Sequence, residues 1–175
     1  YEAATGGVWT PDCYTDGGLT FPDTVSAAER PNGVRGTFCS PAHNYEKRDF
    51  PAHQDASALA LDGGRAHWLD LDLTTVTSHT QAQRLARIAY FKARHGIRIT
   101  VESKFENYDT VANDVIALTD GLAGFSALEF RVIEERADGY DLTFEMQREL
   151  SSFYDWTAAT DEKLFIAEKP VDGSS

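Results

Sequence analysis

Apolar positions follow two different periods along this chain, and the change falls just after residue 95. Between Ser78 and His95, stepping about 100° per residue puts Ala82, Leu85, Ala86, Ala89 and Ala93 on one stripe. Ser78 with Gln81 three residues later has capping-box spacing, and Gly96 suits a left-handed C-cap. The pattern predicts one principal helix, Ser78 to His95, whose mostly alanine stripe lets its backbone approach closely whatever it covers. From Ile97 the period becomes two. Ile97, Ile99, Val101, Ser103 and Phe105 alternate with Arg98, Thr100, Glu102, Lys104 and Glu106, as in a strand with one core face and one wet face. Ahead of the helix, Ala66 to Leu73 also alternates, with Leu69, Leu71 and Leu73 set against Asp70 and Asp72. Asp114 to Thr119 reads as a shorter, more apolar strand, and Gly121-x-x-Gly124 as the turn that follows it.

Leu128 to Glu135 and Tyr140 to Arg148 form a hairpin around Asp138-Gly139. A two-residue loop there opposes Ile133 to Phe144 and leaves Phe130 and Val132 on the wrong face. A three-residue loop, Ala137 to Gly139, opposes Val132 to Phe144 and Phe130 to Met146, and it wants glycine at its last position. That register keeps the apolar faces together and is the one expected. From Tyr1 to Leu61, Gly, Pro, Asp and Asn break the chain into short runs, of which Gly18 to Phe21 and Val34 to Phe38 read as strands. The expected fold is α+β. An antiparallel, barrel-like sheet carries the principal helix over residues 62–163, after a turn-rich irregular region, 1–61, and before a C-terminal extension, 164–175, with a frayed end at Gly173-Ser174-Ser175.

A length of 175 residues allows one well-packed domain or two small ones, and 42% apolar content makes disorder a poor description. Sixteen basic against 28 acidic residues leave a net charge of −12, which opposes binding to nucleic acid or to anionic membrane surfaces. No apolar stretch approaches a membrane span, so membrane insertion is not expected. The sole methionine is Met146, so Tyr1 is not a translational start and a longer parent or a processed product is expected.

The chemistry-bearing residues do not form a catalytic signature. Histidines 43, 53 and 67 with Asp49, Asp55, Asp70 and Asp72 are the one group worth testing as a metal or acid/base site. On a strand, however, His67 faces away from Asp70 and Asp72, and no spaced ligands complete a set. Neither a metal nor another cofactor is expected. A Gly-x-Ser-x-Gly nucleophile elbow is absent. A converging carboxylate pair, as glycoside hydrolysis requires, stays open because acidic residues are abundant. Cys13 and Cys39 fit neither a disulfide framework nor a zinc knuckle. On the helix face opposite the alanine stripe, Phe91 lies among Arg84, Arg87 and Arg94. These four are the candidate interface, Phe91 being either an anchor for a partner or an ordinary exposed apolar residue. Tyr154-Asp155-Trp156 either pins the chain end to the core or presents rings that stack on sugars.

Four segments in order carry a further signal: Asn32-Gly33-Val34-Arg35-Gly36-Thr37-Phe38, then Asp49-Phe50-Pro51, then Gln83-Arg84-Leu85-Ala86-Arg87-Ile88, and finally Tyr154-Asp155-Trp156. Phe130-Arg131-Val132 precedes the last of them, and Asn113-Asp114 stands where a Gly-Asp turn is usual. Over roughly Pro31 to Lys163 this series resembles the central hub segment of phage tail-tip proteins. These form the host-specificity or tip-attachment protein J family, also found in prophages and gene transfer agents. The resemblance implies a structural, non-enzymatic part of a tail tip or baseplate hub that supports host attachment and opening of the tail tube. It also implies a trimer in the full-length protein, other tail-tip and baseplate proteins as partners, and a place in the virion after assembly in the reducing bacterial cytoplasm, where both cysteines stay free thiols. The alternatives are a tail-associated cell-wall or polysaccharide hydrolase and a receptor- or carbohydrate-binding module.

Overall fold

The computed structural model describes residues 7–21 and 30–165, so the expected frayed end at Gly173-Ser174-Ser175 lies outside the described residues. In chain order the strands and helices are β1 (Val8–Trp9), β2 (Tyr14–Thr20), β3 (Gly33–Ser40), β4 (Glu46–Asp49), β5 (His53–Gln54) and α1 (Ala56–Leu61). They continue with β6 (Trp68–Leu73), α2 (His79–His95), β7 (Arg98–Ser103), β8 (Val115–Asp120), β9 (Phe125–Asp138), β10 (Asp141–Arg148) and α3 (Ala158–Asp161). The fold is α+β with one main helix and open sheets. Within the turn-rich first third, the turns delimit β1 to β5 and α1. The described residues fall into two compact units, one drawn from Tyr1–Ser26 and Phe91–Tyr154, the other from Ala27–Tyr90 and Asp155–Ser175.

The first unit is a six-stranded sheet in the order β1-β8-β9-β10-β7-β2, antiparallel except where β1 runs parallel to β8. Its core is drawn from alternate positions of these strands: Ile99 and Val101, Ile116 and Leu118, Phe144 and Met146. Trp9 meets Phe144 edge-on, with ring centroids 5.3 Å apart. Each such large apolar side chain removed from water contributes about 2 kcal/mol. The turn at Gly121-x-x-Gly124 is held by Asp120, whose Oδ1 accepts the N–H groups of Leu122 (2.8 Å) and Ala123 (3.0 Å).

Three local expectations are corrected here. The strand from Ile97 ends at Ser103, not Glu106. The buried Ser103 hydroxyl donates to the Cys13 carbonyl (3.1 Å) and accepts from Asn107 (2.7 Å), which folds Phe105–Asn107 into a 3-10 turn. The hairpin takes neither register considered above. Asp138 pairs with Asp141 across the two-residue loop Gly139-Tyr140, and Met146 pairs with Val132 beyond a bulge. Ile133 is the extra residue, and by bulging it returns Phe130 and Val132 to the core face, where both are fully buried. Gly139 has φ 66°, the left-handed value such a loop demands at its first position. Gly96 is not a left-handed cap. A Cβ there would overlap the Lys92 carbonyl and the Gln147 amide, and Gln147 Nε2 donates to that carbonyl at 3.3 Å, capping the helix end.

Tyr14 is buried in this unit, and its hydroxyl has no hydrogen-bond partner among the described residues. Burial, then the nearby Asp120 and Cys13, push its pKa up to about 12. A raised tyrosine pKa stabilises the fold below the ordinary value of 10, and that contribution is lost as pH climbs toward 12. Tyr14→Phe removes the orphaned hydroxyl and keeps the ring. It is expected to raise stability by up to about 1 kcal/mol and to blunt alkaline unfolding, both read from urea midpoints at neutral and high pH.

In the second unit β3 is the centre. Its first residues pair with β5 and its last with β4, both antiparallel, while β6 runs parallel along its other side from Gly33↔Trp68 to Phe38↔Leu73. Along β6 the leucines are half-buried and Asp70 and Asp72 exposed, as their alternation implied. Ser78 caps α2 as expected, its hydroxyl accepting the Gln81 N–H at 3.4 Å.

The helix phase is corrected. Ala82, Gln83, Ala86 and Tyr90 are the buried residues, whereas Leu85 is 39% exposed, Ala89 half-buried and Ala93 exposed. Gln83 turns inward because its amide exchanges two 2.9 Å hydrogen bonds with the Lys163 backbone. Tyr90 does so because its hydroxyl reaches Asp55 (3.2 Å) while its ring meets His53. Placing a charge at Ala86, which is 1% exposed, is therefore the damaging change. Ala86→Glu is expected to cost about 3 kcal/mol or more and Ala89→Glu about 1, compared by denaturant midpoints.

Candidate functional site

The segment 32–38 shows why its residue types are needed. Asn32 is fully buried and its amide is saturated. Nδ2 donates to Asp62 (2.9 Å) and to the Arg65 carbonyl (2.6 Å), and Oδ1 accepts the His67 N–H (2.9 Å). This one side chain clips the loop that delivers β6 alongside β3. Gly36 then lies against Leu71 so closely that a Cβ would overlap the Leu71 carbonyl and amide. At Gly33 a Cβ would meet the Trp68 ring at 2.6 Å.

On the outer face of this pairing the charges are matched in rungs. Arg35 Nε donates to Asp70 at 2.6 Å with its guanidinium over the Trp68 ring. Asp72 accepts from Thr37 (2.9 Å) and Lys47 (2.5 Å). These rungs, with Gly36, Leu71, Asp49 and the buried Phe50, line a groove of about 760 Å³. The Arg35 hydrogen bond holds Asp70 below the usual carboxylate range, and those from Lys47 and Thr37 do the same for Asp72. Carboxylates so held stay ionised near neutrality, the wrong state for a general acid. Among the described residues, no three His, Cys, Asp or Glu side chains are grouped to hold a metal ion.

A smaller cavity of about 270 Å³ in the same unit is lined by His53, Gln54, Arg87, Trp156, Asp161 and Lys163 among others. Burial first, then the charges of Lys163 and Arg87, lower the His53 pKa, so its imidazole is neutral at pH 7. Arg87 pairs with Asp161 at 2.5 Å and lies over the Trp156 ring, while Lys163 Nζ donates to the Ala52 carbonyl.

The four candidate interface residues are differently placed. Arg84 is exposed, Arg87 is tied to Asp161, and Arg94 is half-buried. Phe91 is half-buried as well, stacked face to face on Phe153 with centroids 5.9 Å apart and planes 5° from parallel. Tyr154 lies under the Lys92 ammonium and Trp156 under Arg87, so both rings of the Tyr-Asp-Trp segment pack inside their own units. Asn113 has φ 81°, the left-handed backbone that a Gly-Asp turn supplies. Cys13 and Cys39 are free thiols.

Sequence reasoning missed Glu149. It is 2% exposed, accepts from Arg131 Nε at 2.9 Å and has Lys92 Nζ at 3.7 Å. Arg131 also donates to the Asn113 carbonyl (2.8 Å), which joins the Phe130-Arg131-Val132 strand to the turn before β8. Only the three-residue Phe-Arg-Val segment hinted at this arginine.

No family model and no curated protein matches the sequence. Solved structures do match. A chain in the virion of a native gene transfer agent particle superposes with a TM-score of 0.67 at 15% identity, over 89% of this chain and 34% of that one. The tail protein from Neisseria meningitidis MC58 superposes with a TM-score of 0.50 at 11% identity, over 87% of this chain and 46% of that one. The chain thus spans a third to a half of the length of these two relatives in fold. Its fold is one found in a tail protein and in a gene transfer agent virion.

Proposed function

We propose that this chain is a structural segment of a tail-tip or baseplate hub in a phage, prophage or gene transfer agent. In this reading it supports host attachment and opening of the tail tube, and acts as a trimer within its full-length parent beside other tail-tip proteins. The observation that carries it is the superposition of nearly the whole chain on part of a gene transfer agent virion chain. The ordered series of segments adds to it, because those segments fall at joints of the fold: Asn32 and Gly36 at the β3–β6 pairing, and Arg131 with Asn113 before β8. In the groove, Asp70 and Asp72 are held ionised by Arg35 and Lys47, which leaves neither as a proton donor. Among the described residues no helix is long and apolar enough to cross a membrane. Arg84, exposed on α2, is the member of the candidate interface best placed to meet a neighbouring subunit.

A reconstruction of the parent particle tests this reading. It should hold the chain at the tail tip, in a copy number that is a multiple of three. Any other copy number, or a place along the tube or on the head, defeats it. Release of soluble fragments from peptidoglycan or capsule by the purified chain would favour the hydrolase instead.

A further inference from the structure

Three exposed aromatic rings lie against one another on the first unit: Phe105 is 48% exposed, Tyr108 64% and Tyr140 80%. They come from two segments that the sheet brings together. β10 pairs with β7 so that Leu142 opposes Ser103, which places Tyr140, two residues before the one, beside Phe105, two residues after the other. Phe105 stacks on Tyr108 (centroids 5.5 Å, planes 18° apart) and meets Tyr140 edge-on at 5.6 Å. The rings hold one another in place while their outer faces stay wet. Clustered exposed aromatics of this kind mark interaction sites far more often than scattered apolar residues do.

The charge around them is one-sided. Glu106 and Asp109 flank the first two rings, Asp138 and Asp141 flank Tyr140, and all four carboxylates are exposed and form no ion pair among the described residues. The nearby cations are engaged elsewhere: Lys104 Nζ donates to the Asp12 carbonyl at 2.6 Å, and Arg136 pairs with Glu134 and Glu145. Ring faces attract cations through their quadrupole, and carboxylates attract them through charge, so both features select the same chemistry. A neutral sugar would use the rings and leave four carboxylates uncompensated. We propose that the Phe105–Tyr108–Tyr140 surface docks an arginine- or lysine-bearing segment of a partner protein. The proposal does not rest on the tail reading.

The test is a titration of the isotope-labelled chain with a synthetic peptide of alternating arginine and glycine, followed by amide chemical shifts. The shifts should concentrate at residues 104–109 and 138–142, and they should weaken sharply at about 0.5 M salt, where screening shortens the reach of charge. Tyr108→Ser with Tyr140→Ser changes exposed side chains only. The doubly substituted chain should keep a dispersed spectrum and lose roughly fivefold or more in affinity. Asp138→Asn with Asp141→Asn should weaken binding further. Shifts spread evenly over the acidic surface, with affinity unchanged in the tyrosine variant, would overturn the proposal. So would the absence of shifts, larger shifts at the same rings with a chito-oligosaccharide, or peptide-independent broadening there that grows with protein concentration and marks a second copy as the occupant.

Discussion

Glu149→Ala is expected to destabilise the first unit by about 3–5 kcal/mol, the range for breaking a buried ion pair by removing one partner. The carboxylate is almost wholly buried, and it is the shared partner of Arg131 at 2.9 Å and Lys92 at 3.7 Å. Removing it takes from both cations the carboxylate they share, and one of them, Arg131, is itself only 19% exposed and anchored to the Asn113 carbonyl. Glu149→Gln keeps the shape and loses the charge, so it should recover part of the stability but not all of it. Burial raises the pKa of this carboxyl, yet hydrogen bonds from Tyr154 and Arg131 and the charges of Lys92 and Arg131 outweigh burial and hold it below its ordinary value of 4.5. A depressed carboxyl pKa means that stability is fully present above 4.5 and is lost as pH falls through the lower, folded value. Urea midpoints taken down through that range should therefore fall more steeply for the native chain than for Glu149→Gln. Parallel curves for the two, or a loss under about 1 kcal/mol for Glu149→Ala, would mean that the Glu149 carboxylate does not hold Arg131 and Lys92 in the folded unit.

Much of this architecture was legible because it is local. α2 announced itself by its period and by Ser78, and the half-buried leucines of β6 by strict alternation. The misread features share a cause, which is that a tertiary partner changes what a residue type means. Gln83 and Tyr90 count as polar in any periodicity, but the Lys163 backbone and Asp55 satisfy them, and that turned the helix relative to its alanine stripe. Hairpin arithmetic assumed an unbroken ladder, and the bulge at Ile133 removed that assumption without changing which faces are apolar. Glu149 looks like any of many acidic residues until Arg131 and Lys92 are brought beside it. For the candidate interface, sequence placed Phe91 on a face of the helix but could not foresee Phe153 stacked against it. The aromatic surface escaped notice because Phe105 was assigned to the core face of a strand that ends two residues earlier.

Gly36→Ala is expected to disrupt the second unit, at a cost of several kcal/mol and with loss of the β3–β6 pairing. The backbone conformation at Gly36 is not the obstacle, since its φ lies outside the left-handed region. Space is the obstacle. A Cβ would fall on the carbonyl and amide of Leu71, backbone atoms that cannot swing aside as a side chain can. Relief requires β6 to move away from β3, which would break the parallel ladder and pull apart the Arg35–Asp70 and Lys47–Asp72 rungs above it. Overpacking of this kind typically costs 1–3 kcal/mol where side chains can yield, and more where backbone must. Gly33→Ala supplies the comparison. Its Cβ meets the Trp68 ring, a side chain with some freedom to turn, so its cost should be smaller. Denaturant midpoints rank the two variants, and Trp68 fluorescence reports whether β6 has moved. If Gly36→Ala were within about 0.5 kcal/mol of the native chain, the close parallel pairing of β3 and β6 would be wrong. The groove built on that pairing would fall with it.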